Sequence, residues 1–394
     1  MNILILCCLP EEYDNSSMLC VSLLCKGFVE CGHNVAIATP EPDENNKYYN
    51  PNHHRIENII HLRFGKRIKK QRSDNSKVVK TGKLKAMLLG IYRKFDIFGK
   101  SILSLKFSDE LLNKIKNNGF VPDIIISTSD PKSSHLLSNK IKKKKEFSVP
   151  FVQYWGDPLT MDIASHSILP LWIKRIIERS IIKKADVVAY VSPLTAIDQK
   201  KLFKRYAKKM IYSPTPCETN EYDISNNDYT IGYFGSYNST VRNIIPLYEA
   251  LKKNTTFHLL IVGDSDIKLE STHNIEIISR IPANELDAYY CRCSVIVDLM
   301  NNRGGQIPAK LFRDAGTNKE VLLISDSERA HEIIDYFGQF NRYTICNNTV
   351  EDILSALERY KVQGIPLRSE LKEFEYLTVA KKLIEDIIKC TERE

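Results

Sequence analysis

The sequence predicts an α/β protein made of two doubly wound domains. Three observations predict it. Short apolar runs rich in Ile and Val recur along the chain and alternate with helical stretches: residues 2–8, 35–39, 122–127, 149–154, 185–191, 230–234, 257–262, 294–300 and 321–324. Runs of this kind fit parallel strands buried on both faces. The pattern restarts at Tyr229, after the Pro-rich and acidic stretch PTPCETNEYD (214–223), which reads as the interdomain linker. At 394 residues the chain is also too long for one ordinary core.

The composition is that of a globular protein, 43% hydrophobic and 26% charged. No apolar run reaches the roughly 20 residues that span a bilayer. Residues 1–9 (MNILILCCL) are too short and lack the basic start of a signal peptide, so they read as the first strand. The ten cysteines are scattered and show no zinc spacing. With no export signal they read as reduced cytosolic thiols.

In order, the first strand (2–8) leads through PEEYDNSS into a helix over 18–31. Gly32 ends that helix and the second strand follows at 35–39. Asn15, Ser16 and Ser17 stand at the head of the helix, where such residues cap; the alternative is contact with a ligand. Residues 63–106 are strongly basic, with large apolar residues interleaved: Lys83, Lys85, Arg93 and Lys94 lie among Leu84, Met87, Leu88, Tyr92 and Phe95. That composition suits an anionic membrane surface, and equally a solvated face. No nucleic-acid motif accompanies the charge. After the strand at 149–154, Trp155, Gly156, Asp157 and Pro158 lie where a doubly wound sheet places ligands. A helix is predicted over 171–183. In the second half, helices are predicted over 242–253, 284–291, 328–336 and 350–360, with an amphipathic one closing the chain at 371–389.

The most informative stretch is NNRGGQIPAKLFRDAGTNKEVLLI (301–324). A buried strand precedes it, and Arg303, Gly304 and Gly305 make a loop. Pro308 opens a short helix at the position where its missing N–H is not needed. Lys310 adds a full charge to a helix start that already favours anions.

These motifs resemble GT-B glycosyltransferases, and in detail the retaining glycosyltransferase family 4. The segments that carry the resemblance are ADVVAYVSPLTAIDQ, GYFGSYNSTVRNIIPLYEAL, LLIVGDSD, ISRIPANELDAYYCRCSVIVDL and IPAKLFRDAGTNKEVLLI. They cover most of residues 229–324 in order; GHNVAIAT and the WGD loop match more loosely. The resemblance implies two Rossmann-like domains facing each other across a cleft. The acceptor-binding domain would be 1–215, the nucleotide-sugar-binding domain 216–370, and residues 371–394 a helix crossing back to the first domain.

The resemblance also implies roles. Arg242, seven residues after Gly235, would bind the donor diphosphate with Lys310. Gly235, Ser236, Gln306 and Ile307 would line the donor, and Asp264 would form a turn beside the nucleotide. Arg280, Ile281 and Pro282 would hold the base. Asp157 would orient the acceptor as the catalytic carboxylate, with Trp155, Asn15, Ser16 and Ser17 on the acceptor side. The chain departs from the family where an acidic residue takes the ribose hydroxyls: Arg313 stands there, and arginine has no acceptor atom. Asp314 is the nearest substitute, about 100° round the helix. Glu320 replaces the usual proline.

The implied activity is sugar transfer from a nucleotide sugar to a glycan or polyprenyl-linked acceptor in bacterial surface polysaccharide synthesis. The implied place is cytoplasmic, or peripheral on the inner face of the membrane, with no metal or other cofactor and no nucleic acid. A non-catalytic subunit and a sugar-nucleotide 2-epimerase of the same plan are the alternatives.

Overall fold

The computed structural model describes residues 1–53, 55–69, 94–165, 167–223, 229–282 and 285–392. They divide into two compact units, Met1–Ser213 with Val379–Glu394, and Pro214–Thr378.

The first unit runs β1 (Asn2–Leu6), α1 (Ser16–Glu30), β2 (Asn34–Pro40), β3 (Ile60–Phe64), α2 (Ser108–Asn117), β4 (Ile124–Thr128), α3 (Ser133–Lys143), β5 (Phe151–Trp155), α4 (Leu171–Ile182), β6 (Val187–Tyr190), α5 (Pro193–Leu202) and β7 (Met210–Tyr212). Its sheet has the order β3-β2-β1-β4-β5-β6-β7, every pair parallel. Strands β4 and β5 are buried along their whole length, as the unbroken apolar runs require. Asn15 caps α1 by accepting from the N–H of Met18 at 2.9 Å. Gly32 ends the turn at φ +78°, a conformation that suits glycine.

The second unit runs β8 (Thr230–Phe234), α6 (Ile245–Lys253), β9 (His258–Val262), β10 (Ile275–Ile278), α7 (Leu286–Cys291), β11 (Val295–Leu299), α8 (Ala309–Ala315), β12 (Glu320–Ser325), α9 (Ala330–Gly338), β13 (Tyr343–Asn347) and α10 (Val350–Gln363). Its sheet, again wholly parallel, has the order β10-β9-β8-β11-β12-β13. Each sheet reverses its winding once, between β1 and β4 and between β8 and β11. Ligands of such sheets lie outside the carboxyl ends of the strands at that reversal. The last helix, α11 (Tyr376–Thr391), buries Val379, Ala380, Leu383, Ile384 and Ile387 in the core of the first unit, against α1 and the β1, β2 and β4 strands.

Two expectations are corrected. The stretch 214–223, read as a linker, is docked in the second unit. Cys217 is wholly buried, its N–H donates to Phe374 O at 2.8 Å, and the N–H of Asn220 donates to Gly316 O at 2.9 Å. Arg242, expected as the first residue of a helix, lies in the turn before α6. Its N–H donates to Asn238 O at 2.8 Å, and the helix starts at Ile245 with Pro246 in its first turn.

Of the basic stretch, residues 70–93 lie outside the described residues, among them Lys83, Lys85 and Arg93. In the described part Arg63 is not a surface charge. It holds Glu12 with two hydrogen bonds of 3.1 and 3.0 Å and donates to Thr39 Oγ1 at 2.9 Å. Among the described residues no helix is long and apolar enough to cross a membrane.

Candidate active site

In the second unit, the ends of β8, β9 and β11 approach one another so closely that backbone contacts set the geometry. A Cβ at Gly263 would lie 2.1 Å from Gly235 O, so this position admits only glycine. Gly235 itself sits at φ +136°, and a Cβ there would reach the Lys310 side chain at 3.8 Å. Arg242 spans the same turn. Its Nε donates to Asn301 Oδ1 at 2.9 Å and its Nη1 to Ser236 O at 3.3 Å. Asn301 in turn donates to Gln306 O at 2.7 Å. Gly235, Ser236, Arg242, Asn301, Gln306 and Lys310 thus form one connected set at the winding reversal. Asp264 joins it, since its carbonyl accepts from the N–H of Tyr237 at 3.1 Å.

Lys310 packs its ammonium over the Tyr233 ring, 3.6 Å from the centroid, and 3.2 Å from Asp298 Oδ1. The contact with Asp298 is an ion pair by distance only: neither group makes an aligned hydrogen bond in it. Asp298 is fully buried in β11. Burial pushes its carboxyl up to about 7, the neighbouring Asp314 adds to this, and Lys310 and Arg313 pull the other way. A second buried carboxylate, Asp314, accepts from Tyr290 Oη at 2.7 Å and from Arg313 Nε at 2.9 Å. Arg313 also donates to Tyr290 Oη. This is why a basic residue is tolerated at position 313: two buried acids, Asp298 and Asp314, are balanced by Lys310 and Arg313. It also corrects the expectation for Asp314. A carboxylate 1% exposed and committed to Tyr290 and Arg313 presents no face to a ribose. Glu320, the other departure, is likewise satisfied inside the fold, by Tyr360 Oη at 2.9 Å and Arg368 Nε at 2.6 Å.

Arg280, Ile281 and Pro282 follow β10, two strands away from β8, and Ile281 packs on the cluster of Phe234, Val262 and Tyr290. Ile307 is buried at 7% exposure. Asp266 accepts from the N–H and hydroxyl of Ser239 at 2.9 and 2.6 Å, and these bonds hold its carboxyl below the usual range. Among the described residues no group of three or more His, Cys, Asp or Glu could hold a metal.

The reversal point of the first unit carries a different set. Lys132, in the loop after β4, is 7% exposed and bonds to Asp130 at 2.9 Å and Asp162 at 3.2 Å. Burial works against its charge, and the carboxylates of Asp130, Asp162 and Asp157 outweigh it, so the ammonium stays firmly protonated. Asp157, half-buried after β5, therefore faces a cation already shared by two other acids. Nearby, Glu178 accepts from the N–H groups of Leu159 and Thr160 at 3.0 and 2.8 Å and pins the loop that follows Asp157. Trp155 does not face a ligand. It is wholly buried, stacks on His135 at 4.3 Å, and donates to Gln153 at 3.2 Å. Asn15 is occupied as the α1 cap, while Ser16 is exposed and Ser17 half-buried.

No family model matches the sequence, and no curated protein matches it either. Solved structures do match, over the full chain. Sucrose-phosphate synthase from Thermosynechococcus elongatus superimposes with a TM-score of 0.64 at 14% identity, covering 100% of this chain and 99% of that one. The catalytic domain of starch synthase IV from Arabidopsis thaliana, bound to ADP and acarbose, gives 0.64 at 11% identity, with 100% and 99% covered. HepE from Anabaena, in complex with UDP and glucose, gives 0.56 at 12% identity, with 100% and 98% covered.

The fold is GT-B.

Within this GT-B chain the structure brings together Gly235, Arg242 and Lys310, which the sequence singled out, with Asp298, Tyr233 and Asn301, which it did not; Lys132 was not singled out either. One signal was available. Asp298 is the sole charge in the run SVIVDLM, and a carboxylate inside a strand buried on both faces needs a partner.

Proposed function

We propose that the chain is a glycosyltransferase that takes a nucleotide-sugar donor in its second unit and a glycan or polyprenyl-linked acceptor in its first. The observation that carries this reading is the pair of cations Arg242 and Lys310, held on either side of the Gly235–Ser236 turn at the winding reversal. A diphosphate leaving group gains charge as its bond to the sugar breaks. An arginine fork and an ammonium already in place stabilise that charge without metal. Gly235, whose α-carbon carries no side chain, lets a phosphate approach the backbone. Asp157 orients the acceptor hydroxyl. The donor phosphate itself accepts the proton, so the sugar is transferred with retention and no further cofactor. Surface polysaccharide synthesis at the inner face of a cytoplasmic membrane is the setting that fits such an acceptor.

The experiment is release of free nucleoside diphosphate from a panel of UDP- and ADP-sugars. Turnover that Lys310→Ala and Arg242→Ala both reduce supports the reading. One observation favours a second reading, a non-catalytic subunit of the same fold: Arg313 stands where the resemblance expects an acid, and Asp314 beside it is enclosed. Nucleotide binding without turnover of any sugar in the panel decides for it.

A further inference from the structure

Helix α4 has an unusual outward face. Its inward positions are Lys174, Glu178, Ile181 and Ile182, all buried. Its outward stripe holds Leu171, Trp172 and Ile176, exposed at 66, 64 and 60%. In the next column, four residues apart, stand Arg175, Arg179 and Lys183, all exposed. The one acid on the helix, Glu178, points inward onto the N–H groups of Leu159 and Thr160. The apolar surface continues past the helix start. Ile168 is 57% exposed and its N–H donates to Lys94 O at 2.8 Å, which sets Lys94 and the half-exposed Phe95 beside it. The basic surface continues on the other side, where Arg175 donates to Leu202 O at 3.0 Å, next to the exposed Lys201, Lys204 and Arg205.

An ordinary solvated helix does not leave a tryptophan, a leucine and an isoleucine together in water. A protein partner would be expected to find mixed charges around such a stripe; the exposed charges on this rim, Lys94, Arg175, Arg179, Lys183, Lys201, Lys204 and Arg205, are all basic. Large apolar residues on one stripe, arginines and a lysine on the next, and no outward carboxylate match the water–lipid boundary of an anionic bilayer. There the indole sits at headgroup depth and the basic side chains reach phosphates. We propose that the outward face of α4 docks on an anionic lipid surface, with Leu171, Trp172 and Ile176 entering the interface and Arg175, Arg179 and Lys183 pairing with lipid phosphates. The proposal rests on the membrane setting of the reading above and not on its donor chemistry.

The chain has two tryptophans, and Trp155 is wholly buried, so a change in indole emission on binding reports Trp172. The full chain is mixed, without nucleotide, with vesicles of phosphatidylglycerol and phosphatidylethanolamine or of phosphatidylcholine alone, and both flotation and emission are read. On the anionic vesicles at low salt the protein floats and its emission moves to shorter wavelength; high salt reverses both. Trp172→Phe floats without the emission change. Leu171→Ser with Ile176→Ser, and separately Arg179→Glu with Lys183→Glu, lower partitioning by about tenfold or more. All these positions are exposed, so circular dichroism stays that of the parent. Flotation with unchanged emission overturns the assignment of this face while the membrane setting stands, attachment then lying elsewhere, as in residues 70–93. Absence of flotation at low salt overturns both. An emission shift that grows with protein concentration in the absence of lipid shows that the face covers a second copy, and overturns the proposal too. None of these outcomes depends on whether sugar is transferred.

Discussion

The two units share a winding plan and place polar side chains at the same point of it, yet with opposite charge. At the reversal in the second unit, Arg242 lies at the surface turn and Lys310 faces one buried acid that is itself near its protonation point. At the reversal in the first unit, one lysine is surrounded by three aspartates and cannot offer its charge to anything else. The same point of the winding is thus net positive in one unit and net negative in the other, according to how many carboxylates surround the cation. A fold-level likeness cannot separate these cases; the side-chain charge count does.

The largest effect should break the comparison or make it firm. Lys132→Met leaves the largely buried Asp162 and the partly exposed Asp130 without their cation, and should cost about 2–3 kcal/mol in urea unfolding, below the range for a fully buried pair. Lys310→Met should cost markedly less, because Asp298 can take up a proton near pH 7. Equal losses would mean that both lysines are structural. Next in size is ligand binding. Arg242→Ala and Lys310→Ala should each weaken UDP or ADP binding by about 1.5–3 kcal/mol, measured by calorimetry. Unchanged affinity in both would remove the diphosphate from this unit.

A smaller effect sharpens the role of Asp298. Its carboxyl titrates near 7 folded and near 3.8 unfolded. As pH rises from about 4, the unfolded chain loses this proton first, so the group's contribution to stability falls from about pH 4 to about pH 7 and is level above. Asp298→Asn removes that slope, and its melting midpoint relative to the parent should therefore climb from about pH 4 to about pH 7 and then level off. UDP affinity of the parent should rise by up to about tenfold as pH falls through 7 and frees Lys310, with no such rise in the variant. A flat difference in melting midpoint would show that Asp298 is charged throughout. The smallest expected effect is none: EDTA should leave sugar transfer unchanged. Loss of transfer that manganese restores would make Asp264 and Asp266 metal ligands.

Much of the fold was legible because strands buried on both faces leave an unmistakable apolar run, and the turns at Gly32 and Gly235 are marked by glycine. The side-chain assignments fared less evenly, for a physical reason. In a parallel sheet covered on both sides, alternation along a strand does not tell a ligand-facing position from a core one. Trp155 therefore read as a cleft residue and is packed between His135 and Tyr190. Asp314 lies one position round α8 from Arg313, and that rotation turns it inward. The stretch 214–223 has the composition of a linker, but Cys217 finds a backbone partner at Phe374, more than 150 residues on, which no local pattern announces. The exposed Trp172 was equally silent, since a helix written with Leu, Trp and Ile reads as core until the structure shows which face they occupy.

The placement of α11 has a consequence for synthesis. The core of the first unit is completed by Val379, Leu383 and Ile387, which the ribosome delivers only after all of the second unit. Until then α1 and the strands beneath it lack one wall, and apolar surface remains uncovered on the nascent chain. The second unit is contiguous in sequence and meets no such delay, so it can close its core while the first still waits. Joining two segments separated by a whole intervening unit carries a loop-closure entropy that grows only slowly with length, which makes the arrangement thermodynamically cheap. Its burden is kinetic: the interval of exposure during translation lengthens with every residue placed between β7 and α11.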